Sequence, residues 1–261
     1  MMSSLWVSKT GLAAQDTALR TISNNLANVS TTGFKRDRAT FQDLLYQIQQ
    51  QPGGQSTQDT TLPSGLQLGT GVRIAGTQKT FTEGSLQTTD GPLDIAIQGR
   101  GFFQISMPDG TLAYTRDGTF HLNQDGQIVT IQGYQLEPAI TVPADAQTIT
   151  IGADGVVTAM TQGSTSATQL GTIELANFVN PAGLQATGNN LFVETPASGS
   201  PQTAPPGQDG IGTVAQGMLE NSNVSVVEEL VNMVAVQRAY EMNSRVVSTS
   251  DQMLQYLTQN V

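Results

Sequence analysis

The chain has one histidine, His121, and no cysteine. A usual zinc site draws three or four ligands from His, Cys and carboxylates, so one imidazole without a thiolate is a poor start. His121 lies in TFHLN, an alternating run that reads as a strand with the ring at a surface or hairpin position. Gln98-Gly-Arg-Gly101-Phe-Phe contains a Gly-x-Gly. No third glycine and no helical pattern follow, so it reads as a tight bend between strands rather than a phosphate loop. Glu83, Asp90 and Asp94 are close enough in sequence to raise paired-carboxylate glycan hydrolysis. Asp90 belongs to an Asp-Gly turn dipeptide, however, and nothing in the sequence singles out a general acid. The expectation is a protein with no catalytic residue, no cofactor and no metal, which is not an enzyme and works through its surfaces.

Composition narrows the partners. Net charge is −10, and only 12% of residues are charged. The polar surface must therefore be largely Gln, Thr, Ser and Asn. Phosphate binding needs clustered Lys and Arg, so nucleic acid is not an expected partner. A length of 261 residues allows one large domain or two modest ones. No stretch approaches the roughly 20 apolar residues of a membrane span. The first ten residues, MMSSLWVSKT, do not read as a secretory signal, because Ser8 and Lys9 interrupt the apolar part at once. Work outside the cytoplasm would then need another export route. Residues 1–40 carry five basic against two acidic side chains, and residues 216–261 carry two against five. The chain ends are electrostatically complementary, a hint that they meet.

Those ends must position whatever surface does the work. Leu5, Leu12, Leu19 and Leu26 recur every seven residues, with Ile22 and Val29 at the intermediate position. The spacing predicts an amphipathic helix over about residues 5–28, capped by Ser3 or Ser4. Val226, Met233, Tyr240, Val247 and Leu254 repeat the period near the other end. Val236 and Leu257 fall at its second seam position, as do Asn243 and Ser250. Ser225-Val-Val-Glu228 reads as a capping box, and no proline or glycine follows before about residue 258. Helices of such length point to a coiled coil. An intramolecular helix pair, lateral contact with other copies, or a membrane surface could each bury these stripes. The last is disfavoured by the lack of a Lys/Arg-rich opposite face.

Between the ends, short runs such as LDIAIQ, GFFQIS, QIVTIQ and LFVE alternate with turn residues. Asp-Gly occurs six times, at Asp90, Asp109, Asp117, Asp125, Asp154 and Asp209, and is expected to supply the positive φ of tight hairpins. Residues 47–71 lack periodicity and read either as a flexible linker or as an extended arm that orders against a partner.

The stretch SNNLANVSTTGFKR, Ser23 to Arg36, follows the first helix. Its residues suit a helix exit, with Asn tolerating a left-handed turn and Gly33 a positive φ. Alternatively Asn24, Asn25 and Asn28 set register between packed helices. N-x-A-N-x-x-T-x-G-F-K, here Asn25, Ala27, Asn28, Thr31, Gly33, Phe34 and Lys35, resembles the signature of the bacterial flagellar axial proteins of the rod and hook family. LDIAIQGRGFFQI with YTRDGTFHLNQDGQIVT is similar to that family's central β region. GTVAQGMLENSNVSVVEELVNMVAVQRAYEMNSRVVSTSDQMLQ resembles its C-terminal block. Residues 46–72 resemble the segment that separates distal rod members from hook members.

The resemblance implies an α+β fold. Residues 1–30 and 225–261 would form a coiled-coil-like inner domain, 31–71 a connecting segment with an extended arm, and 72–224 a β-rich outer domain. It implies a subunit that polymerises helically with itself into the distal rod of the flagellar basal body, a drive shaft carrying torque from motor to hook. Its subunit interface would use Leu5, Leu12, Leu19, Ile22, Leu26, Val226, Met233, Val236, Tyr240, Val247, Leu254 and Leu257. Further partners would be the proximal rod proteins, the hook protein, the peptidoglycan-layer and outer-membrane ring proteins, and the flagellar export apparatus. The chain would span periplasm to outer membrane, exported without a cleaved signal peptide. The remaining readings are a proximal rod or hook subunit, and a periplasmic glycan-binding or glycan-cleaving protein.

Overall fold

A computed structural model describes residues 2–53, 55–57, 60–61, 64–162 and 166–259. The chain divides into two compact units. One holds residues 1–26, 37–78 and 225–261, and the other holds residues 27–36 and 79–224.

The first unit contains two helices, α1 (Met2–Ala27) and α2 (Val226–Gln259). At 1.5 Å rise, their 26 and 34 residues span about 39 and 51 Å. α2 begins where Glu228 and Glu229 place negative charge in its first turn, and Glu229 N–H donates to the Ser225 carbonyl. Neither helix is long and apolar enough to cross a membrane. α1 starts earlier than expected. Ser3 and Ser4 lie within its range rather than before its start.

The coiled-coil expectation is overturned. The fold is α+β, with a many-stranded antiparallel β domain, but its two helices do not form a coiled-coil-like inner domain. Where they meet, Gly11 faces Asn243, and Asn243 Nδ2 donates to Gln15 Oε1 at 3.2 Å. A coiled coil needs apolar knobs at both seam positions. Here the second position reads Ser8, Gln15, Ile22 on α1 and Val236, Asn243, Ser250 on α2. Small and polar groups, Gly11, Gln15 and Asn243, occupy the crossing.

The same unit carries a β ribbon. Asp37–Asp43 pairs with Val72–Lys79, and Tyr46–Gln50 pairs with Leu66–Gly69. Between the ladders, Leu44 N–H donates to Gly71 O at 2.9 Å, and Thr70 Oγ1 donates to Leu45 O at 2.6 Å. The ribbon lies against α1, where Val72 N–H donates to Thr10 Oγ1. A Cβ at Gly71, whose φ is +123°, would collide with that hydroxyl. Among the described residues of 47–71 the chain is therefore β ribbon rather than an aperiodic linker.

The second unit is built on an antiparallel sheet. Its order is Phe120–Leu122, Ile128–Thr130, Gln135–Glu137, Phe102–Ser106, Leu112–Thr115, Leu191–Val193, Gln185–Gly188. Leu175–Asn177 also pairs with the start of the central strand Phe102–Ser106. Successive strand residues point to opposite faces. Phe103 and Ile105 thus enter one core with Ile95, Ile97, Phe120 and Leu175. Phe102 enters a second, with Tyr114, Phe178 and Phe192. Both faces are covered, which explains why GFFQI is apolar without alternating.

Asp-Gly plays a different part from the one expected. The loops at 107–111, 123–127, 130–134 and 152–156 share one pattern of backbone hydrogen bonds. In each, only the glycine (Gly110, Gly126, Gly133 or Gly155) takes a positive φ. These are three-residue loops with a bulge glycine, not two-residue hairpins in which both central residues need positive φ. Of the six Asp-Gly aspartates, only Asp209 adopts a positive φ.

Phe103 is fully buried and meets Phe120 edge-on at 5.1 Å between ring centroids. Phe103→Ala is expected to cost about 3–5 kcal/mol. Leu122→Ala, at a side chain 42% exposed, should cost under about 0.5 kcal/mol. Urea unfolding followed by circular dichroism checks both.

Candidate functional site

Each helix has two faces with different surroundings. On α1, Ile22, Ser8 and Ala14 are buried, while Leu5, Leu12, Leu19 and Leu26 are half-buried. On α2, Met233, Val236 and Val247 are half-buried, as is Asn243 at the crossing. Val226 and Tyr240 are exposed. The side chains of Leu254 and Leu257 lie outside the described residues. A second face of α2 was not anticipated. Val227, Val231, Val234, Met242, Val246, Met253 and Tyr256 are all exposed, from 47% to 73%. Their intervals are three, four, seven or eight residues, so they share one face. The signal was present in the sequence, but the heptad through Val226 and Met233 hid it.

The exit of α1 is held by side-chain hydrogen bonds. Asn25 is 1% exposed. Its Nδ2 donates to Asp37 O at 2.8 Å, and its Oδ1 accepts from Asp37 N–H at 2.9 Å. This paired contact satisfies both backbone groups of the first ribbon residue. No asparagine of the motif takes a positive φ. Ala27 is the last helical residue and is exposed. Asn28 carbonyl accepts from Thr31 N–H, and its Oδ1 accepts from Thr31 Oγ1. Gly33 turns at φ +67°, where a Cβ would stand 2.7 Å from the backbone of Arg116 and Asp117. Only glycine fits that approach. Phe34 is half-buried beneath the Lys79 ammonium, which lies 5.2 Å from its ring centroid.

Lys35, the last motif residue, is 1% exposed. Its Nζ donates to Glu220 Oε1 at 2.6 Å and to Thr82 O at 2.8 Å. The same Oε1 accepts from Gly84 N–H at 2.9 Å, and Oε2 accepts from Arg116 at 3.3 Å. Gly33 N–H donates to the Glu220 carbonyl at 2.8 Å. Arg116 also donates to Gly99 O at 2.6 Å, which anchors the Gly-Arg-Gly bend. The complementary charge of the chain ends is thus realised in one buried pair. Glu220 and Arg116 were not among the residues expected to matter. Their signal was faint: single charges inside strand-forming runs.

Burial lowers the pKa of Lys35 from its ordinary value, against the attraction of Glu220, and burial likewise lowers that of Arg116. Desolvating two cations is costly, and one shared carboxylate offsets that cost.

The residues first considered for chemistry are dispersed. His121 is exposed on the strand Phe120–Leu122, opposite Val129. Asp94 accepts from Thr89 Oγ1 at 2.6 Å. Among the described residues no three His, Asp or Glu side chains are grouped as a metal site would require.

A rigid β domain combined with long helices that keep an apolar face uncovered defines a structural subunit, a protein that acts by packing. Comparisons agree. A family model described as the flagellar basal-body rod protein matches residues 5–35. One for the flagellar hook protein FlgE/F/G D1 domain matches residues 96–159, and one for the flagellar basal body rod FlgEFG protein C-terminal region matches residues 215–260. The flagellar basal-body rod protein FlgG of Buchnera aphidicola subsp. Schizaphis graminum is 55% identical, over 99% of this chain and all of its own. Those of Caulobacter vibrioides and Borreliella burgdorferi are 48% and 47% identical, over 99% and 97% of both chains. The chain belongs to the FlgG family of flagellar basal-body rod proteins. Its role is structural and not enzymatic, and the glycan-cleaving reading falls away.

Glu220→Gln leaves two buried cations without their carboxylate and is expected to destabilise by about 3–5 kcal/mol. Lys35→Met leaves Arg116 and Glu220 paired one to one and should cost clearly less. Equal losses in urea unfolding would refute this account of the triad. Because the folded pKa of Lys35 is the lower one, the unfolded chain binds more protons between the two values. Stability should therefore rise with pH up to the ordinary lysine value, and Lys35→Met should flatten that slope.

Proposed function

We propose that the chain polymerises helically with copies of itself into the distal rod, the drive shaft that carries torque from motor to hook. The observation that carries this reading is the uncovered apolar face of α2, which extends from Val227 to Tyr256. A monomeric protein seldom leaves so long an apolar stripe in water. The stripe is suited to a neighbouring subunit's helix. Leu5, Leu12, Leu19, Ile22, Leu26, Val226, Met233, Val236, Tyr240, Val247, Leu254 and Leu257 support the pairing of the terminal helices, within or between subunits. Isolated helices with a narrow apolar seam are marginal in water, so neighbours would stabilise them on assembly.

In this reading residues 1–30 and 225–261 form the inner part of the rod and residues 72–224 its outer layer. The segment 31–71 provides the arm that stiffens contacts between neighbours. The ribbon exposes Leu45, Tyr46, Ile48, Leu66 and Leu68, which suits that task. The proximal rod proteins meet the chain at one end and the hook protein at the other. Ring proteins of the peptidoglycan layer and outer membrane surround it. The flagellar export apparatus delivers it without a cleaved signal, so that it spans periplasm to outer membrane.

Electron microscopy of basal bodies from a strain lacking this chain tests the distal position. Basal bodies ending at a short proximal rod support it, and intact rods with hooks refute it. Val231→Asp with Val234→Asp should leave the soluble chain within about 0.5 kcal/mol of wild type yet prevent rod formation. Asp in place of Leu12 or Leu19 should also abolish assembly. Removing residues 47–71 should yield a folded subunit whose polymer bends or breaks, visible in negative stain.

A further inference from the structure

Between residues 79 and 224 the chain has only three basic side chains, Lys79, Arg100 and Arg116, against thirteen acidic ones. All three line one open cleft of about 350 Å³ in the β domain, and no carboxylate lines it with them. Three cations do not converge by chance in a region this acidic. Arg116 is paired with Glu220, which does not line the cleft, so the positive field that reaches solvent is carried mainly by the exposed Arg100. Part of the wall is aromatic, where Phe81, Phe102 and Phe178 form an edge-to-face cluster, and Thr82, Asn177 and Asn180 line the rest with polar groups.

Two features leave the cleft unsatisfied. Arg100 is exposed, and its guanidinium makes no hydrogen bond or ion pair among the described residues. Arg116 is 3% exposed, and its Nε has no hydrogen-bond partner, although its other nitrogens reach Glu220 and two carbonyls. At the rim, Val179 is 83% exposed. A cationic, aromatic-walled cleft with an uncovered valine beside it fits a carboxylate carried on a turn.

We propose that this cleft receives an exposed Asp-Gly turn from the β domain of a second copy of the chain. Charge complementarity selects that occupant. Copies bearing −10 each repel unless opposite charges meet locally. Asp109, Asp125, Asp154 and Asp209 all stand exposed on turns of the same domain. Copies joined this way would be linked through their β domains as well as their helices. The inference rests on the polymer reading above and names a contact within it.

The chain has no cysteine, so Val179→Cys gives one reporter thiol. Its maleimide reaction is measured in the soluble full chain and in isolated basal bodies, and a thiol-tethered photocrosslinker then identifies its neighbour. The expected result is rapid labelling in the soluble chain and protection in the rod. Adducts should fall on a peptide of another copy that contains Asp109, Asp125, Asp154 or Asp209. Equal labelling in both forms overturns the proposal, as do adducts on a ring protein or on glycan. Arg100→Glu should slow subunit addition by roughly tenfold at low ionic strength, less so in salt, while Arg100→Lys retains the rate. Because the Arg100 guanidinium has no partner among the described residues, the soluble fold should be unchanged, and an unaltered rate for Arg100→Glu counts against the docking. A wild-type chain that never polymerises sinks the polymer reading and this contact together. A wild-type rod with an open cleft sinks this contact alone.

Discussion

Glu220 is a buried carboxylate on which segments far apart in sequence converge. Its side chain takes Lys35, Gly84 and Arg116, and its carbonyl takes Gly33. A carboxylate 2% exposed survives only if both its oxygens find donors. That requirement fixes where the exit of α1 runs, where the chain returns before α2, and how the Gly-Arg-Gly bend is held. A hydrophobic triad of similar volume could equal it in stability but would not impose the same pairing.

Around this tie the β domain has few degrees of freedom. Its central strand is buried on both faces, and four bulge-glycine loops set register at strand ends. Large aromatic rings fill the second core edge to face, a geometry that tolerates little sliding. The helices differ. Their mutual contact is small and polar, and a full face of α2 is exposed. Stiffness resides in one unit and unfilled contact capacity in the other, a division suited to a subunit that must be rigid once assembled yet bind its neighbours strongly.

The surface chemistry follows the same economy. Few residues are charged, and between residues 79 and 224 the lysine and arginines gather at one cleft. The polar part of the remaining surface is amide, hydroxyl and carboxylate, which offers little to nucleic acid and few ion pairs to whatever surrounds the rod.

Much was legible beforehand. Seven-residue spacing located α1 and α2, because helical periodicity is local. Dense turn residues between short apolar runs located the antiparallel β region. The motif from Asn25 to Lys35 pointed to the family before any contact was known. What the sequence could not decide was pairing. Heptad leucines mark a face but not its partner, so the coiled coil was inferred where Gly11, Gln15 and Asn243 in fact meet. Asn25 looked like a cap or a register device until Asp37 was found opposite it. Glu220 was one acid among twenty-one until folding brought Lys35 and Arg116 to it. Periodicity and turn chemistry are properties of neighbours along the chain, and so the sequence determined elements and family. Burial, charge pairing and the convergence of three cations on one cleft are long-range, and only the tertiary structure decided them.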